Sequence, residues 1–152
     1  IKSFETALSI VRQSTLSTRS HLVNIAVSKE VSAQQVLPKL FNCVKYEKGE
    51  TLHVIQGEES IKLLVDSRNL QKILDLIPKN LVLGVQKNLA EVNLHLHPLA
   101  VKTPGIVYAI CGELFRNNVN VYEVTSCVPE LLLFVEEKDL LKAHQVIFEL
   151  CQ

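Results

Sequence analysis

Apolar residues recur along this chain with two periods, one helical and one extended. Phe4, Ala7, Leu8 and Val11 fall at i, i+3, i+4 and i+7, so Ser3 to about Gln13 is predicted to be a short amphipathic helix capped by Ser3. Ser14 to Ser20, rich in Ser and Thr, reads as a connection or the beginning of an extended segment. From Leu22 to Val27 successive residues alternate as in a half-buried or central strand. Ser32 then opens a helix from Ala33 to Phe41 in which Val36, Leu37, Leu40 and Phe41 share a face. Pro38 lacks an N–H, and is expected either to kink this helix or to mark its true start.

Lys45 to Glu50 is a polar turn, and Thr51 to Gln56 has the β-branched and apolar content of a strand. Gly57-Glu58-Glu59 turns the chain into a second strand, Ile61 to Val65, and Leu70, Ile73, Leu74 and Ile77 lie at helical spacing before Pro78. The order then recurs. Leu81 to Val85 is a short strand, Lys87-Asn88 a turn, and Glu91 to His97 a strand in which Val92, Leu94 and Leu96 alternate with polar residues. After a helix ending at Phe115, Val119 to Cys127 and Leu131 to Val135 are strands about a turn at Pro129-Glu130. Leu140, Ala143, Ile147 and Leu150 line the last helix.

The two halves superimpose in sequence. Val65 matches Val135, Leu70 matches Leu140 and Lys72 matches Lys142, each 70 positions apart, while Val23-Asn24-Ile25 matches Val92-Asn93-Leu94 at 69. A repeated strand-helix-strand-strand-helix unit predicts an α+β fold: two ferredoxin-like sandwiches, βαββα each, preceded by an N-terminal helix. The expected boundaries are 1–19 for the helix and connection, 20–87 for the first unit and 88–152 for the second. A fourth strand is missing from the second unit. Either it is absent, or another segment or another chain supplies it, and an open sheet edge favours pairing with a second molecule.

Between Val101 and Val121 the chain carries its most specific pattern. Pro104 sits well in the first turn of a helix and Gly105 permits a tight turn, so the chain is expected to leave a strand near Val101 and enter a helix there. A helix start of this kind presents unpaired N–H groups that suit a carboxylate. Thr103-Pro104-Gly105-Ile106, the helix to Leu114-Phe115, and then Asn118-Val119-Asn120-Val121 resemble an ACT domain, the small amino-acid-sensing module found beside enzymes of amino-acid metabolism. Asn118 stands where that family prefers Gly; Asn also tolerates the left-handed conformation needed after a helix. The resemblance covers about residues 20–150 and is stronger in the second half. It extends to prokaryotic predicted regulators of amino-acid metabolism with paired ACT units, and to the regulatory end of aspartokinase.

That resemblance implies a ligand held between ACT units by the loop before the first helix and by the second strand. Carried over by position, it implicates Lys102, Thr103, Pro104, Gly105 and Ile106 on the loop, and Asn118, Val119, Asn120 and Val121 at the helix-to-strand junction. The first half has Lys29-Glu30-Val31-Ser32 in place of Pro-Gly, so an equivalent site is not expected there. The implied partners are a small amino acid and further copies of the chain, as a homodimer or higher homo-oligomer assembled through the ACT sheets.

Composition narrows the alternatives. Lys+Arg and Asp+Glu both number 16, so no bulk attraction to nucleic acid or anionic membrane is expected. Apolar runs fall far short of the roughly 20 residues that cross a bilayer. Cys43, Cys111, Cys127 and Cys151 follow neither zinc-ribbon nor disulfide-framework spacing, which suits reduced thiols in a cytoplasmic, soluble protein. His95 and His97 share one strand face, yet spacing fixes no third metal ligand in His53 or Cys127, so neither a metal nor a cofactor is expected. No hydrolase, phosphate-binding or zinc-protease motif occurs, and the expectation is a non-enzyme.

The chain starts with Ile1, which suggests that a preceding portion has been removed. The leading expectation is thus a regulatory module that senses an amino acid and controls amino-acid metabolism. The alternatives are a fragment of a DNA-associated transcriptional regulator with an ACT sensor, and a ligand-free dimerisation module. Nucleic acid would be contacted only through a missing N-terminal part, since residues 2–20 carry only Lys2, Arg12 and Arg19 as basic groups.

Overall fold

A computed structural model describes residues 2–152. Helix α1 spans Lys2–Val11, strand β1 Thr15–Ser28 and helix α2 Val31–Phe41. Strands β2 (Leu52–Gln56) and β3 (Ser60–Asp66) follow, then a 3-10 turn at Ser67–Asn69 that runs into helix α3 (Leu70–Leu74). Strand β4 (Val82–His95) leads through a 3-10 turn at Pro98–Lys102 to helix α4 (Ile106–Arg116). Strands β5 (Val121–Cys127) and β6 (Glu130–Glu136) and helix α5 (Leu140–Leu150) complete the order. Among the described residues no helix is long and apolar enough to cross a membrane.

The chain divides into two compact units, residues 21–89 and residues 1–20 with 90–152. In the 21–89 unit the strand order is β2-β3-β1-β4. β1 pairs antiparallel with β3 from Leu22↔Asp66 to Ser28↔Ser60, and β2 with β3 from Leu52↔Val65 to Gln56↔Ile61. Alternation sends Val23, Ile25 and Val27 of β1 and Ile61, Leu63 and Val65 of β3 to one face, where they form a core with Leu40, Ile73 and Leu81. A loop is tied to this unit by Glu50, whose Oε2 accepts the Lys45 N–H at 2.9 Å and Asn69 Nδ2 at 3.0 Å.

In the other unit the order is β5-β6-β4-β1, and the β1 portion is its first part, up to Ser20. The strand that the sequence left unaccounted for in the second half is therefore supplied by the N-terminal segment of the same chain. Residues 1–20 belong with 90–152 instead of standing apart. α1 buries Ala7, Ile10 and Val11 in a core with Val92, Leu94, Ile106, Ile110, Leu114, Leu131, Leu133, Val135 and Ile147.

Several local expectations are corrected. Leu81–Val85 and Glu91–His97 are not two strands about a turn. They belong to one strand, β4, in which Asn88 takes φ +59° without ending it. β1 likewise continues through His21 at φ +57°. A single left-handed residue shifts the pleat locally without reversing the chain, so the Lys87-Asn88 pair lies inside a continuous strand. Val101 lies in a 3-10 turn and not at a strand end. α2 starts at Val31 after Glu30, and Pro38 sits inside it, while Phe41 is half exposed and leaves the apolar face.

Candidate functional site

The connection from β4 to α4, residues 96–105, is built from short-range hydrogen bonds. Leu96 N–H donates to Pro129 O at 2.9 Å, which keeps the chain on the β5–β6 hairpin past the end of β4. His97 caps the 3-10 turn: its Nδ1 accepts the Leu99 N–H at 3.1 Å, so a neutral ring carries its proton on Nε2. Thr103 closes the same turn, with its N–H on Ala100 O at 3.2 Å and its hydroxyl on Leu99 O at 2.7 Å. Gly105 then takes φ +90° as the residue before α4. A Cβ there would meet Ala7 Cβ at an ordinary 3.7 Å, so the backbone angle and not crowding selects glycine. Ala109 donates to Gly105 O at 2.9 Å, which leaves the N–H groups of Ile106, Val107 and Tyr108 ahead of the helix ladder.

These residues form one side of a cavity of about 440 Å³. Leu96, His97, Ala100, Val101 and Thr103 come from the connection, Gly105, Ile106, Val107 and Tyr108 from the start of α4, and Ser126, Val128, Pro129, Glu130 and Leu131 from the hairpin. Val101, Val107, Tyr108 and Val128 are between about half and two-thirds exposed, and rim the opening. Behind the rim, Phe4 of α1 meets the Tyr108 ring edge-on at 6.4 Å.

Ser126 pairs with Leu131 across the hairpin and shares its face. Glu130 does not point the same way. Leu131, Leu133 and Val135 turn to the core under α4 and α5, so Glu130 alternates to the opposite face, where its Oε1 accepts Asn93 Nδ2 at 3.0 Å. The cavity is consequently mostly apolar, with the His97 ring, hydroxyl and backbone groups as its polar points.

Of the loop residues expected from the sequence, Thr103, Gly105 and Ile106 line this cavity; Lys102 and Pro104 are exposed and outside the lining. The junction residues lie elsewhere. Asn118, at φ +57°, follows α4 in a Schellman cap, with Asn118 N–H on Phe115 O at 2.9 Å and Val119 N–H on Leu114 O at 3.0 Å. Asn118, Val119 and Asn120 line a separate cavity of about 470 Å³ with Phe115, Glu136, Lys138 and Asp139, while Val121 packs against the core. The two predicted groups are at opposite ends of α4 and are not brought together within this unit.

The sequence missed the hairpin contribution and the apolar wall of the connection. Adjacency of β4 and β6 is the signal that would have found both, since it puts Leu96 and Leu131 beside each other. Among the described residues no cluster of three metal-ligating side chains occurs. Cys111, on α4, and Cys151 have their thiols pushed up by burial and stay protonated at neutral pH.

The 21–89 unit is built differently at the matching place. Only Lys29 and Glu30 separate β1 from α2, and Lys29 Nζ donates to Gly57 O at 2.8 Å. The space there, about 260 Å³, is lined by Lys29, Glu30, Val31, Gln34, Leu37, Gln56 and Ile61.

No protein-family model matches the chain, and no curated protein matches it by sequence. Its structure is similar to Clostridium acetobutylicum aspartate kinase, described as an allosteric enzyme, with 21% identity and a TM-score of 0.71 over 90% of this chain and 34% of that one. The chain thus spans about a third of that enzyme's length. The ligand-free regulatory subunit of aspartate kinase from Thermus thermophilus is similar at 14% identity and a TM-score of 0.70, over 90% of this chain and 97% of that one. A Vibrio cholerae protein of unknown function, described as a possible transport protein, is similar at 13% identity and a TM-score of 0.64, over 99% of each chain. At these identities the likeness is one of fold: the chain has the ACT-type α+β fold of aspartate kinase regulatory subunits.

Proposed function

We propose that the two units are paired ferredoxin-like ACT domains, with boundaries near 20/21 and 89/90, and that the chain is a non-catalytic regulatory module that senses an amino acid. The observation that carries this reading is the cavity at the start of α4. Its volume lies within the roughly 300–1,000 Å³ typical of small-molecule sites. It opens beside the unpaired N–H groups of Ile106, Val107 and Tyr108, which suit a carboxylate, and it sits on an ACT-type fold. The 21–89 unit is its partner without an equivalent site, because its short connection builds no wall and Lys29 reaches across to the hairpin. Regulation follows from linkage: a ligand that prefers one arrangement of the protein shifts the population toward it. Assembly into a homodimer or higher homo-oligomer, through a sheet that ends on β5, belongs to the same reading.

The test is a thermal-shift screen of the whole chain against the twenty amino acids at millimolar concentration, repeated with Val107→Trp. Val107 is 48% exposed, so the larger ring fills the opening without disturbing the core. Stabilisation by one or a few amino acids, lost in the variant, is expected, since a ligand at about 100 times its Kd adds about 2.7 kcal/mol to the folded state. Absence of any shift in a cooperatively unfolding protein would refute the sensing role.

A further inference from the structure

We infer that this cavity selects amino acids with uncharged, apolar side chains and rejects those whose side chains are charged; the inference rests on the amino-acid-sensing reading of the same cavity. The deciding feature is where the charges are not. Leu96, Ala100, Val101, Ile106, Val107 and Leu131 supply the wall against which a ligand side chain lies. Glu130 borders the cavity, but its carboxylate is on the opposite face of the sheet, held by Asn93. Lys102 is exposed and outside the lining. Two polar side-chain atoms of the connection are engaged within it, Thr103 Oγ1 on Leu99 O and His97 Nδ1 on the Leu99 N–H.

A lysine ammonium or an aspartate carboxylate entering here gives up hydration and meets no opposite charge among the described lining residues beyond the turned-away Glu130, whereas an aliphatic or aromatic side chain gains apolar contact. The remaining polar groups, the His97 Nε2, the Ser126 and Tyr108 hydroxyls and the N–H groups opening α4, are suited to the invariant α-carboxylate and α-amino ends. This asymmetry is stronger than a fit of size, because an unpaired charge is rejected more sharply than a missing methylene.

Calorimetric titration of the whole chain with leucine, phenylalanine, lysine and aspartate tests it. Leucine or phenylalanine is expected to bind at least about tenfold more tightly than lysine and aspartate. Val101→Glu, at a position 62% exposed and therefore safe for folding, places a carboxylate on the wall and is expected to reverse the order of leucine and lysine. If lysine or aspartate binds the native chain as tightly as the apolar pair, and Val107→Trp abolishes that binding, sensing stands and the selectivity is overturned. An unchanged order in Val101→Glu also overturns it. If none of the four binds, the apolar selectivity is overturned, and the twenty-amino-acid thermal-shift screen alone decides whether sensing stands.

Discussion

Single backbone angles account for several residues that composition alone would leave unexplained. Asn118 sits at φ +57° after α4, a region that costs an ordinary L-residue about 1–2 kcal/mol and Gly or Asn much less. Replacing Asn118 by Gly is therefore expected to leave stability within about 0.5 kcal/mol, and replacing it by Ala to lower it by about 1 kcal/mol, as read by urea denaturation. Equal losses for both variants would mean that the amide side chain, and not the backbone angle, is what matters there. The sequence made this angle legible, because Asn-Asn after an apolar helix has few other uses. It did not reveal Asn88 or His21, where the same angle occurs inside a strand and only pairing with neighbours keeps the strand going.

Among the elements, the loop at residues 45–50 shows how a polar stretch acquires a fixed shape. The Lys45 N–H, the Asn69 amide and then the Arg68 guanidinium, 3.9 Å from Oε1, favour the charged Glu50 carboxylate, and its pKa lies below the ordinary 4.5. A depressed carboxylate pKa contributes stability that is complete above the ordinary value and disappears as pH falls through the folded-state value. Glu50→Gln is thus expected to be less stable than the native chain at pH 7, with the gap closing as pH is lowered from 4.5 downward, measured by denaturation at a series of pH values. A gap independent of pH would show that Glu50 acts through shape alone. From sequence this stretch reads only as a solvated turn, since its partner at Asn69 is distant in the chain.

The whole molecule depends on its first residues more than their modest pattern suggests. Deleting residues 1–13 removes α1, whose Ala7 and Val11 are fully buried and whose Ala7 lies behind Gly105. We expect the shortened chain to exchange amide hydrogens faster throughout α4, with β2 and β3 unchanged in the separate 21–89 core. Uniform loss of protection in both units would instead mean that the chain unfolds as one cooperative block.

Periodicity and the repeat by themselves determined the α+β class, the order of elements apart from the two strands that merge into β4, and the loop at Thr103 to Ile106, because each is a local consequence of spacing, proline and glycine. Tertiary structure decided what local pattern cannot carry. It assigned the first part of β1 to the last unit, brought the β5–β6 hairpin against the residue 96–105 connection, and turned Glu130 away from the cavity that they enclose. Each of these depends on which strands become neighbours, and strand pairing is a long-range choice settled by burial on both faces rather than by any one segment's preference.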